Sequence, residues 1–190
     1  MIHNKRGFTL IELLISMAIF SVILMGLYPV FSQVTTFNNE SYIRTALMDN
    51  LRTGMDRITR ELREATSVEL EDSNETLPNL IVQENYIVFS HPDPNAPSGS
   101  ETIKYQLSSS IYSIKYFPDG KEIKRYVWNS ETNSWEGGNP ITEPIIYSLK
   151  FVRLGQVIKV EIISKVKLRE KSLPQDYIFL ANIAVRNPLP

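Results

Sequence analysis

The chain has 190 residues, 20 Lys and Arg against 21 Asp and Glu, and no cysteine. That is enough length for one ordinary domain plus a membrane segment, and the near-neutral balance carries no basic footprint for nucleic acid. Without thiols neither a disulfide framework nor a thiolate zinc site can be built, so the fold must rest on its own core.

The first element in chain order is an apolar stretch at residues 8–31, uncharged except for Glu12. About 24 residues at ~1.5 Å each give ~36 Å, against a hydrocarbon core of ~30 Å, so the stretch reads as a transmembrane helix. A carboxylate at the centre of an inserting helix costs about 2.5–3.5 kcal/mol, less near an end. A single span offers Glu12 no partner, so the partner is expected from elsewhere. Lys5 and Arg6 precede the span, whereas Asn38, Asn39 and Glu40 follow it. The positive-inside tendency then puts the amino terminus in the cytoplasm and the bulk of the chain outside it.

A second helical pattern starts at once, since residues 32–41 contain neither Gly nor Pro. Leu47, Leu51, Met55, Ile58, Leu62 and Ala65 recur at steps of three and four, which lays them on one helical face. Arg57 with Glu61, and Asp56, Arg60 and Glu64, stand four apart on the other faces, the pattern of a solvated surface. One helix over residues 8–65 is expected, with Gly26, Pro29 and Gly54 as bend points.

From residue 80 onward, short runs rich in Ile, Val, Tyr and Phe alternate with turn residues. They predict strands at 86–90, 102–107, 111–117, 122–128, 145–152, 157–165 and 177–185. Pro118-Asp119-Gly120 is expected to close one hairpin and Leu154-Gly155-Gln156 another, while 91–100 and 129–140 read as loops. A long helix against an antiparallel sheet is an α+β layout. The expected division is residues 1–7 as a leader, 8–31 as a transmembrane helix, 32–66 as an amphipathic helix and 67–190 as the β-rich part of a single domain.

The string KRGFTLIELL at residues 5–14 resembles the processing site of the type IV pilin superfamily, which includes pilins and the pseudopilins of type II secretion and competence. The resemblance implies cleavage between Gly7 and Phe8 by a membrane-embedded prepilin peptidase, N-methylation of Phe8, and a pilin-like fold. It implies that Glu12, five residues into the mature chain, meets the Phe8 amine of a neighbouring subunit during assembly. It also implies a helix-softening role for Pro29. Loss of Lys5 and Arg6 with the leader makes the chain two charges more acidic. LMDNLRTGMDRITRELREA at 47–65 resembles the helix of W-type minor pilins and J-type minor pseudopilins, and Val185-Arg186-Asn187 resembles their carboxyl end. Two other readings of residues 1–32 stand beside this one. An ordinary secretory signal would be cut at the weak site Val30-Phe31-Ser32. A plain signal anchor would let Glu12 snorkel to the headgroups, which does not account for its register with Gly7 and Phe8.

Catalytic constellations are missing from the sequence. Once the leader with His3 is removed, His91 is the sole histidine, too few for a His-rich metal set. His91, beside Pro92, reads as a surface residue. Asp72, Asp93 and Asp119 read as turn formers rather than a calcium loop. Tyr105, Tyr116, Tyr126 and Trp128 read as core or cross-strand aromatics. The expectation is a non-enzymatic minor pilin or pseudopilin, with no cofactor or metal. Its expected partners are the prepilin peptidase, sibling minor and major subunits and the cytoplasmic membrane, with no nucleic acid. Its place is in a filament near the tip. Type II secretion, a type IV pilus and DNA uptake stay open. The rival is a membrane-anchored extracytoplasmic binding domain or enzyme that uses the helix only as a tether.

Overall fold

The computed structural model describes residues 8–69, 80–96, 98–110, 112, 114–117, 119–168 and 173–186. The chain forms two compact units, Met1–Thr45 and Ala46–Pro190. One helix, α1 (Leu10–Arg63), contributes to both. In the first unit its apolar side chains are exposed all round. That is the pattern of a helix whose solvent is not water, and the helix is apolar and long enough, by length and composition, to cross a membrane.

The second unit starts from the helical face that the spacing predicts. Leu47, Leu51, Met55, Ile58 and Leu62 are buried, and Ala65 beyond the helix end is fully buried. Nine strands follow among the described residues: β1 (Ser67–Glu69), β2 (Leu80–Glu84), β3 (Tyr86–Pro92), β4 (Ser100–Ser109), β5 (Lys121–Asn129), β6 (Ser134–Pro140), β7 (Ser148–Leu154), β8 (Val157–Val166) and β9 (Gln175–Ala184). They make two antiparallel sheets, one of order β1-β3-β4-β5-β6 and one of order β2-β7-β8-β9. The α+β layout is therefore present, with its strands divided between two sheets rather than laid in one. Asn85 makes the division. It sits between β2 and β3 at φ 69°, a left-handed conformation that Asn tolerates, and turns the chain from one sheet into the other. Its N–H donates to the Leu149 carbonyl and its own carbonyl accepts from the Leu107 N–H, which ties the sheets together at the turn.

Five predicted strands agree with the structure to within a few residues, and the Gly155-Gln156 hairpin joins Leu154 to Val157 with Gly155 at φ 58°. Three expectations need correction. Among the described residues of 111–117 no strand forms: β4 pairs directly with β5, and with β3 and β6 on their other sides both are already paired twice. Only the isolated bridge Ile114–Phe117 remains of that segment, so no hairpin closes at Asp119-Gly120, and Pro118 lies outside the described residues. Residues 129–140 are not simply a loop, because β6 folds back onto β5 and sets Trp135 edge-on to Trp128. Gly137 and Gly138, at φ 95° and 75°, accompany a register shift between Arg125 and Tyr126, so the glycines that read as loop signals belong to a bulge. Finally, Ile145 and Ile146 stay outside β7; both are buried, and Ile146 bridges to Lys121.

Candidate functional site

At the amino-terminal end, Thr9 immediately precedes α1 and caps it. Its N–H and its Oγ1 both donate to Glu12 Oε2, each at 2.9 Å, and the Glu12 N–H returns a hydrogen bond to Thr9 Oγ1 at 3.3 Å. This reciprocal capping box satisfies donors that a helix start otherwise leaves bare. The sequence T-x-x-E at residues 9–12 was the available signal, and the reading of Glu12 as an isolated charge passed over it. Phe8 stands 87% exposed beside the cap. Gly7 and the leader lie outside the described residues.

Further along the same stretch, polar side chains are satisfied within the helix. Ser16 Oγ donates to the Glu12 carbonyl at 2.7 Å and Ser21 Oγ to the Met17 carbonyl at 2.8 Å. Thr35 and Thr36 do the same to Phe31 and Ser32. Such back-bonding hides a hydroxyl where neither water nor another chain segment can partner it. Pro29 lies inside α1 and has no N–H, which leaves the Met25 carbonyl without its helical donor. Gly26 has open space where a Cβ would project.

A second polar cluster sits where the sequence suggested a solvated face. Glu61 is buried. Its Oε2 accepts from the Tyr105 hydroxyl at 2.7 Å and from Arg125 Nε at 3.1 Å, and its Oε1 faces Arg57 Nε at 3.4 Å. Arg125 also reaches Glu101 at 2.9 Å through Nη2. Burial first, then the charge of Glu61, pushes the Tyr105 phenol well above its usual range. Helical spacing alone could not show this, because the partners on β4 and β5 are 44 and 64 residues away. Gly54 is a packing site rather than an open bend point: a Cβ there would come 2.6 Å from Thr142 Cγ2. Asn50 Oδ1 accepts from the Glu143 N–H at 3.1 Å beside it.

The remaining candidates resolve as follows. His91 belongs to β3, not to a loop, and is half-buried; its Nε2 lies 3.5 Å from Glu64, while its buried Nδ1 has no hydrogen-bond partner among the described residues. Asp93 accepts from the Asn95 N–H at 2.9 Å, the Asx turn that a turn-forming carboxylate makes. Asp72 and Asn187 lie outside the described residues. Tyr105 is fully buried, and the Lys104 ammonium lies over both the Tyr126 and Trp135 rings. The Arg186 N–H donates to the Arg63 carbonyl at 2.9 Å, so the carboxyl-terminal segment fastens the end of α1.

Comparison with known proteins bears on the amino-terminal end of this helix and on the chain as a whole. The family model for the prokaryotic N-terminal methylation motif matches residues 2–28. A type II secretion system protein J from Vibrio cholerae is 34% identical over 81 residues, which is 43% of this chain. The match spans 37% of the length of the Vibrio protein. No solved structure matches the chain. A pilin-like α+β layout behind an N-terminal methylation motif, with this likeness to a type II secretion J protein, makes the chain similar to the minor pseudopilins.

Proposed function

We propose that the protein is a minor pilin or pseudopilin that enters a filament through its amino-terminal helix. The observation that carries this reading is the methylation motif at residues 2–28 on a helix whose apolar side chains are exposed on every side. Cleavage between Gly7 and Phe8 leaves a new amine next to the Thr9–Glu12 cap. Glu12 Oε2 is occupied by Thr9, and Oε1 has no hydrogen-bond partner among the described residues. A neighbouring subunit's Phe8 amine would supply that partner and offset the cost of holding a carboxylate in hydrocarbon. Pro29 supplies the bend, the unit from residue 46 onward lies outside the cytoplasm, and sibling subunits meet it near the tip. Type II secretion is the machine favoured by the likeness to protein J.

A specific observation supports the tether reading as the second choice. The capping box gives Glu12 a local use that needs no neighbour. Two measurements on the expressed chain decide between them. Amino-terminal sequencing and intact mass should give a mature chain starting at Phe8, whereas a start at Gln33 would show an ordinary secretory protein. Cross-linking to sibling subunits should fail for Glu12→Gln although its leader is still removed. A Glu12→Gln chain that cross-links like the parent leaves the helix as a tether.

A further inference from the structure

The edges of the two sheets are treated very differently. In the five-stranded sheet, β1 is three residues long, and β6 carries the double glycine and ends at Pro140, opposite the register shift in β5. Short strands, bulges and proline are the ordinary protections of an edge. The β9 edge has none of them. Its ten residues, QDYIFLANIA, contain no Lys, Arg or Pro and pair with β8 in unbroken register from Val157–Ala184 to Val166–Gln175. Ile178 and Leu180 are 58% and 56% exposed.

The hydrogen-bonding phase of the edge follows from one bond. The Val185 N–H donates to the Gln156 carbonyl at 3.0 Å. Bonded and non-bonded pairs alternate in an antiparallel ladder, so the odd residues of β9 turn their main-chain groups toward β8. Asp176, Ile178, Leu180 and Asn182 turn theirs outward. Among the described residues no strand pairs with them. The residues with open main-chain groups are thus also those whose side chains stand on the exposed face.

We propose that β9 is a self-pairing edge, and that a second copy of this chain adds its own β9 antiparallel to join two sheets into one. The register is set by complementarity. A two-fold axis through Phe179 places Ile178 of each copy opposite Leu180 of the other, and Asp176 opposite Asn182. These four outward-facing residues then exchange main-chain hydrogen bonds with others of the same phase, two exposed apolar pairs are covered, and no like charges meet. This pairing needs the β9 edge alone and nothing of the amino-terminal motif.

The test uses the full chain in detergent. Since the chain has no cysteine, Phe179→Cys supplies a single thiol. It would lie in a non-hydrogen-bonded pair on the axis, where Cα atoms stand about 4.5 Å apart, within disulfide reach. Mild oxidation should give a disulfide-linked dimer, while Ser130→Cys, on the turn before β6, should not. Sedimentation provides a readout that does not require Phe179. The parent should dimerise, and Ile178→Lys with Leu180→Lys, which sets ammonium groups opposite one another, should weaken association about tenfold or more. Ile178→Glu mixed with Leu180→Lys should recover a mixed dimer. A monomeric parent overturns the proposal, including the case in which this edge takes a strand from a different protein. Equal linking at both cysteines overturns it as well. So does a double variant that dimerises like the parent, which would place the association in the amino-terminal helix.

Discussion

The two halves of α1 handle a glutamate in opposite ways. Glu12, in the exposed apolar half, is held by Thr9 three residues before it, and the hydroxyls around it bond to carbonyls four residues back. Glu61, in the half that packs on strands, is held by Tyr105 and Arg125 from a distant part of the chain. A helix that faces lipid has to satisfy its polar groups from its own turns. A helix that faces a sheet can use partners brought by the fold, and it gains specificity of docking in return. Glu12 Oε1 therefore has no hydrogen-bond partner among the described residues, whereas both oxygens of Glu61 are engaged within the fold.

The sharpest way to break this comparison is to remove each charge in turn. Glu12→Gln should leave the folded unit unchanged in thermal unfolding, yet abolish cross-linking to sibling subunits. Glu61→Ala should do the reverse. It leaves the Tyr105 hydroxyl and Arg125 Nε without their shared acceptor, which should cost about 3 kcal/mol in denaturant unfolding; Arg125 keeps Glu101, which limits the loss. If Glu61→Ala melts like the parent, the buried cluster is not what docks the helix.

The same cluster sets an alkaline limit. The Tyr105 phenol is raised in the folded protein, so ionisation is easier in the unfolded chain. The stability this contributes is fully present below the ordinary tyrosine pKa, and is lost as pH rises from there toward the folded value. Unfolding midpoints should therefore fall above pH ~10, and Tyr105→Phe should reduce that slope. An equal slope in the variant would assign it to other tyrosines.

Glycines sharpen the comparison at smaller cost. Gly54→Ala gains helix propensity of ~1 kcal/mol but drives a methyl against Thr142. That side chain cannot turn away freely, because its Oγ1 accepts from the Ile123 N–H at 2.9 Å. A net loss of about 1–2 kcal/mol is expected. Gly26→Ala meets nothing within 4 Å and should stabilise its half slightly, read as helicity in detergent. Equal and favourable effects at both positions would show that Thr142 yields without cost.

Much of this was legible in the sequence because it depended on local pattern. The apolar run, the buried face from Leu47 to Ala65 and the alternation of β8 each repeat with the period of their own element. What escaped depended on pairing. The segment at 111–117 has strand composition, but its neighbours in sequence, β4 and β5, are already paired on both sides, and β6 has a glycine-rich composition yet finds an edge on β5. Glu61 has the spacing of a surface ion pair and becomes interior only because β4 and β5 bring Tyr105 and Arg125 over it. At the amino terminus the sequence singles out Glu12 by its charge, and the capping role of Thr9 was overshadowed by that charge.

The smallest expected effect is the most discriminating one for Glu12. Thr9→Ala removes the hydroxyl that donates to Glu12 Oε2 and accepts from the Glu12 N–H. Its backbone N–H remains, so the loss at the helix start should be about 0.5–2 kcal/mol, and Thr9→Ser should recover most of it. Cross-linking then separates two roles for the cap. If the cap merely competes with a neighbouring amine for the carboxylate, Thr9→Ala assembles at least as well as the parent. If the cap aims Glu12 at that amine, Thr9→Ala loses assembly as Glu12→Gln does, and Thr9→Ser keeps it. Retained assembly in Thr9→Ala together with loss in Glu12→Gln would leave the charge itself, rather than its orientation, as the feature that joins one subunit to the next.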